Sequence, residues 1–178
     1  MKIFLSFLLG LCVFGLAGTN VLAQQKHQKL TIILLRHAEK DKAEEEITSD
    51  PRLAPAGEAR AEKLAELIAK YKPDAIFSSQ FKRTRATVTP LARKKRMMIQ
   101  IYDHKNIQNT LAIATAGKFK RIVIVGHNST TPALANLLIG QEKYKALDEL
   151  EYDKIWIIRI KRNKNKPHKI REEKVITY

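Results

Sequence analysis

The chain has 178 residues and sets 33 Lys and Arg against 18 Asp and Glu, a net charge of +15. That length holds one domain once a targeting segment is set aside, and a charge of this size draws anions: phosphate esters, nucleic acid or acidic membrane surfaces. A single cysteine excludes a disulfide framework, so the domain must be held by its core alone.

The first residues read as an address. Lys2 is a minimal basic start, Ile3 to Leu16 form an apolar run, and Val21-Leu22-Ala23 puts compact side chains where a signal peptidase reads. This predicts a signal peptide over residues 1–23, cleaved before Gln24, and a single domain over 24–178. The alternative is an uncleaved membrane anchor. The run is short for a span and is broken by Gly10, Gly15 and Gly18. Cys12 belongs to it, because Leu11 stands where a lipoprotein signal wants a small residue. The expected address is periplasmic or secreted, with the membrane met only through the export signal.

Strands and helices then alternate. Leu30 to Leu35 is a buried strand by its Ile and Leu content. A helix opens at Pro55 and keeps Leu64, Leu67, Ile68 and Tyr71 on one face. Ala75-Ile76-Phe77 is a second strand. A helix from about Phe81 to Arg93 follows, with Pro90 placed to shorten or kink it. Met98 to Tyr102 is a third strand, and Lys105 to Ala116 a helix. Arg121 to Val125, β-branched on both faces, is the clearest strand. A helix starts near Thr131-Pro132, buries Leu134, Leu137 and Leu138, and ends at Gly140. Ile155 to Ile160 and Lys169 to Thr177 are last strands around a polar turn. The class is α/β, a mostly parallel sheet covered by helices on both faces.

Unusual polar residues fall at strand ends. Arg36-His37 follows the first strand, Ser78-Ser79 and then Arg83 the second, and Gly126-His127-Asn128 the fourth. In a parallel sheet these ends share one edge, where open α/β folds bind ligands. An arginine fork holds two phosphate oxygens, and a helix start offers free N–H groups. A neutral imidazole attacks phosphorus, and a second one bonds the equatorial oxygens. Singly each is bland: a surface Arg-His pair, a structural histidine, a plain helix cap. Together they point to a phosphate site holding Arg36, Arg83, His127, Asn128 and Ser79 around His37. The runs Arg93-Lys94-Lys95-Arg96 and Lys161 to Lys166 lack the aromatic interleaving of a single-strand platform, so they read as solvated faces and a turn, and no nucleic-acid partner is expected.

These residues also resemble a known family. Leu35-Arg36-His37-Ala38-Glu39-Lys40 resembles the Arg-His-Gly/Ala-Glu signature of the histidine phosphatase superfamily, the phosphoglycerate mutase-like fold. Leu53 with Gly57, Phe77 to Thr87, and Val123 to Asn128 are similar to its later motifs, in family order. The resemblance implies that His37 becomes a phosphohistidine and that Arg36, Arg83 and His127 complete the phosphate pocket. Arg83 stands four residues before Thr87, as the family's arginine does; Arg85 is the alternative. It further implies a phosphorylated substrate, small molecule or phosphoprotein, and neither metal nor other cofactor.

Two departures stand out. Ala54 replaces the usual Thr or Ser, so the helix at Pro55 loses a side-chain cap, at about 1 kcal/mol. Between Arg83 and His127, where larger members carry a glutamate donor, the single carboxylate is Asp103. Asp103 is thus a candidate proton donor or a plain turn residue, and Glu39 is the competing donor. The short stretch leaves little material for a lid, which favours hydrolysis over mutase action. Two other readings compete: a basic binding protein keeping the fold without turnover, and a metallohydrolase using some of the five histidines. His27, His104 and His168 show no paired ligand spacing with the rest.

Overall fold

A computed structural model describes residues 29–116, 118–162 and 169–178. The predicted signal segment and the polar turn near the end of the chain lie outside these residues. In order the elements are β1 (Lys29–Arg36), α1 (Lys42–Glu45), α2 (Pro55–Ala69), β2 (Ala75–Ser79), α3 (Lys82–Lys95), β3 (Ile99–Tyr102), α4 (Ile107–Thr115), β4 (Arg121–Gly126), α5 (Thr130–Ile139), β5 (Lys154–Lys161) and β6 (Lys169–Thr177).

The strands form one sheet in the order β3-β2-β4-β1-β5-β6. The β3-β2-β4-β1 part is parallel, whereas β5 runs antiparallel to both β1 and β6. The register puts Arg36 beside Gly126 and Ser78 beside Val125. The three motif-bearing strand ends therefore lie on one edge, as a parallel sheet requires.

Alternation along β1 and β4 splits the core. Ile33, Leu35, Val123 and Val125 pack under α2 and α3 against Leu64, Ile68, Val88 and Leu91. Ile32, Leu34, Ile122 and Ile124 pack on the other face with Ala114, Leu134 and Trp156 under α4 and α5. Because the central strands are buried on both faces, they read as continuous apolar runs rather than alternating ones.

Helix ends follow local chemistry. Ala54 caps α2 without a side-chain bond, and Pro55 supplies the first turn. Pro90 lies inside α3, which continues through it to Lys95. Gly140 ends α5 at φ 69°. Asp41 caps the four-residue α1 by accepting from Ala43 and Glu44 N–H groups. Gly57 is a close-approach glycine: a Cβ there would stand 2.2 Å from the carbonyl oxygen of Glu39. That contact presses the start of α2 onto the segment after β1, where Ala54 N–H also donates to Glu39 O at 2.9 Å.

The charged runs divide. Arg93 and Lys94 are exposed on the last turn of α3 and pair with Glu62 and Glu66 on α2. Arg162, read from sequence as solvated, is instead buried. Its guanidinium donates to the carbonyls of Ala114 and Phe119 beyond the end of α4, which meets the cost of taking it from water.

Candidate functional site

His37 leaves β1 with its N–H bonded to Gly126 O at 3.0 Å, so the ends of β1 and β4 fix its backbone. The next residue is fixed by α3: Ala38 N–H donates to Thr87 Oγ1 at 2.9 Å, and that hydroxyl donates to Arg83 O at 2.7 Å. Thr87 thereby ties the first motif to the helix carrying Arg83.

The His37 ring is 4 % exposed, with Nδ1 at 2.7 Å from Ala38 O. A carbonyl can only accept, so Nδ1 carries the proton and Nε2 keeps its lone pair. Burial drives the His37 pKa from 6.5 to about 3, helped by the Arg83 and Arg36 charges and opposed by the bond to Ala38. The imidazole is thus neutral across the physiological range.

His127 meets it edge-on, ring centroids 5.5 Å apart. Its pKa falls to about 4, through burial and the charges of Arg83, His104 and Arg36. Its Nε2 lies 3.0 Å from Ser79 Oγ, which also bonds Thr84 Oγ1 at 2.9 Å. Ser79 is fully buried and is the last residue of β2, so it positions His127 and caps no helix. Phe81 stands at the start of α3 instead, and Asp50 Oδ1 accepts from Lys82 N–H at 2.8 Å there.

Arg36 is 2 % exposed and heavily engaged. Its Nη1 donates to the carbonyls of Asp148, Glu149 and Glu151 at 2.8–3.1 Å, and Nη2 meets Glu149 Oε2 at 3.1 Å. The guanidinium also lies 4.2 Å over the Tyr152 ring. Arg83 packs over Phe81 and faces Asp50 at 3.7 Å. Among the described residues, three buried polar atoms around the site have no hydrogen-bond partner: Arg36 Nε, Arg83 Nε and Nδ1 of His104. Buried donors rarely go unpaired, and an anion bound between the arginines would satisfy the two Nε–H groups.

Other expected residues sit at the rim. Asn128 Nδ2 donates to Glu149 Oε2 at 3.4 Å, and its Oδ1 accepts from Ser129 N–H. Burial raises the Glu39 carboxyl, but the Arg60 fork, with contacts of 2.6–2.9 Å, outweighs it and holds Glu39 below its ordinary pKa. Asp103 is exposed, and its Oδ1 accepts from Lys105 N–H at 2.9 Å, the bond of a turn. Arg85 is exposed on α3.

Sequence reasoning misses three members. Glu149, 55 % exposed, bridges Arg36 and Lys40, the latter at 2.7 Å. Asp50 restrains Arg83. His104 packs edge-on to His127 at 5.5 Å and to Phe81 at 5.0 Å. Tyr152, whose ring stands 6.1 Å from that of His37, lines a cleft of about 360 Å³ whose walls also include Glu39, Lys40, Lys42, Glu45 and Glu149.

The family model described as the histidine phosphatase superfamily, branch 1, matches residues 32–109. Among solved structures, a mycobacterial glucosyl-3-phosphoglycerate phosphatase aligns with a TM-score of 0.62 at 14 % identity, over 75 % of this chain and 91 % of its own. One assigned as phosphohistidine phosphatase SixA from Agrobacterium tumefaciens gives 0.57 at 24 %, over 80 % and 96 %. A structure titled mycobacterial hydrolase 2 gives 0.67 at 14 %, over 81 % and 89 %. At such identities the likeness speaks to the fold. A comparison with curated protein sequences returns no match.

Proposed function

We propose that the chain is a phosphohydrolase of the histidine phosphatase superfamily, whose model matches residues 32–109, and that His37 is the nucleophile of its phosphomonoester hydrolysis. The observation that carries the reading is the pair of buried, unpartnered Nε–H groups on Arg36 and Arg83 beside a neutral imidazole whose Nδ1 proton is already spoken for.

In the first step His37 Nε2 attacks phosphorus. A P–N bond forms and the P–O bond to the leaving group breaks, its electron pair leaving with that oxygen, which takes up a proton. Arg36, Arg83 and His127 hold the equatorial oxygens as charge spreads over them. Ala38 O, accepting from Nδ1, stabilises the positive charge that the ring gains. In the second step water attacks phosphorus, the P–N bond breaks, and inorganic phosphate leaves with His37 neutral again.

For the leaving-group proton the arrangement favours His104 over either carboxylate. One Asp103 oxygen is committed to a turn and Glu39 to Arg60, whereas the imidazole of His104 packs against His127 with an unpartnered nitrogen. The cleft wall carries both signs, Lys40 and Lys42 beside Glu39, Glu45, Glu46 and Glu149, and the substrate class is a phosphorylated small molecule or phosphoprotein.

The test is turnover of p-nitrophenyl phosphate. His37→Ala is expected to lower kcat by a thousandfold or more, since it removes the covalent route; near-normal turnover in that variant would sink the mechanism. We also propose export after cleavage at Ala23, supported by the run of residues 1–23. The intact mass of native protein checks it: a mature chain starting at Gln24 agrees, and a species retaining Met1 in the membrane fraction contradicts it.

A further inference from the structure

The edge of the sheet opposite the histidines has a charge pattern that phosphate hydrolysis does not use. It is made by the starts of the parallel strands and the ends of the helices that feed them. Lys29 opens β1, Lys70 and Lys72 follow α2, Arg96 follows α3, and Lys118 and Lys120 lead into β4. All six are exposed, and none of them is in an ion pair among the described residues. They belong to one surface. Thr31 N–H donates to Lys120 O, Asp74 N–H to Arg121 O, and the Arg121 guanidinium donates to Lys72 O. Asp74 adds no free negative charge toward them, because its carboxylate accepts the N–H groups of Lys120 and Arg121 at 2.8–3.1 Å.

Basic residues near helix ends have an ordinary explanation in the helix dipole, and Arg93, Lys94 and Lys95 on the last turn of α3 fit it. Lys70 and Arg96, the C-caps of α2 and α3, and Lys118, just past the C-cap of α4, fit it too, whereas Lys29 and Lys120 do not, since they lie at strand starts.

We propose that this edge is a docking face for an anionic phospholipid surface, which it meets with the active-site edge turned away from the bilayer. Three observations select a lipid surface over nucleic acid. The six cations lie at strand starts and loops on one edge, where a bilayer can meet them together. Five of the six are lysines, point charges suited to a diffuse field of headgroups, whereas bidentate phosphate readout favours arginine. The chain also enters β1 on this edge at Lys29, and the sequence before it includes the apolar run 3–16.

The experiment is sedimentation of the native protein with phosphatidylcholine vesicles and with mixed phosphatidylcholine–phosphatidylglycerol vesicles. The quantity read is the ratio of partition into the anionic over the neutral vesicles, which a retained apolar segment leaves unchanged. The variant Lys29→Gln, Lys70→Gln, Lys118→Gln, Lys120→Gln is expected to lower that ratio at least tenfold at low salt. A control with the same net charge, Lys63→Gln, Lys105→Gln, Lys145→Gln, Lys174→Gln, is expected to keep it within about twofold. Unchanged p-nitrophenyl phosphate turnover in the first variant shows that it folds. Equal ratios in the two variants overturn the proposal, because net charge alone then governs binding. A first variant that loses affinity for duplex DNA while keeping its vesicle ratio also overturns it and makes the edge a nucleic-acid surface.

Discussion

The two edges of the sheet carry charge in opposite ways. At the carboxyl ends of the strands, cations are matched by carboxylates: Arg36 and Lys40 by Glu149, Arg60 by Glu39, Arg83 by Asp50. At the other edge, lysines stand exposed without ion pairs among the described residues. The first arrangement costs desolvation and holds each group in one geometry, which a reaction needs. The second leaves ammonium groups hydrated and movable, which suits attraction to a broad anionic surface and little else. Net charge read from composition merges the two, and only the fold separates them.

If the edges are separate devices, changes at one should leave the other's readout alone. After the loss of His37 itself, the largest effect is expected from the leaving-group proton. His104→Gln should slow hydrolysis of alkyl phosphates by about a hundredfold, the scale of general-acid help, and barely alter p-nitrophenyl phosphate, whose leaving group departs unprotonated. Asp103→Asn should slow neither. The reverse pattern hands the role to Asp103, and a changed vesicle partition in His104→Gln breaks the separation of the edges.

A smaller effect is expected in stability against pH. His37 and His127 titrate near 3 and 4 in the folded chain but near 6.5 when it unfolds. Below pH 6.5 the unfolded state binds protons that the native state refuses, so stability falls as pH drops from about 6.5 toward 4. Thermal unfolding of His37→Gln should show a shallower fall over that window than the parent chain. Equal slopes would mean that the ring is not held neutral by burial. The four-lysine variant should keep the parent slope.

How much of this was legible depends on the range of the signal. The strands announce themselves because buried parallel strands are apolar on both faces, as in Leu30 to Leu35 and Arg121 to Val125. The histidines and arginines announce themselves by following those strands. The α1 helix does not: four residues hold no helical period, and its single strong cue is Asp41. Ser79 reads as a helix cap and serves His127 instead, because β2 runs two residues farther than its apolar stretch. Glu149 and Asp50 reach the site from loops, which carry no periodicity. The one clue to His104 is its place directly after Asp103, at the end of β3. A search for a carboxylate stops one residue short of the imidazole.

The central claim is a covalent one, so the most direct measurement is trapping. Native protein mixed with a phosphomonoester and quenched in alkali within the burst phase, then digested and read by mass spectrometry, should carry one phosphoryl group on the peptide holding His37. The label should be lost in acid and be missing from His37→Ala. A turning-over enzyme that yields no phosphopeptide, or one labelled at another residue, would contradict the account.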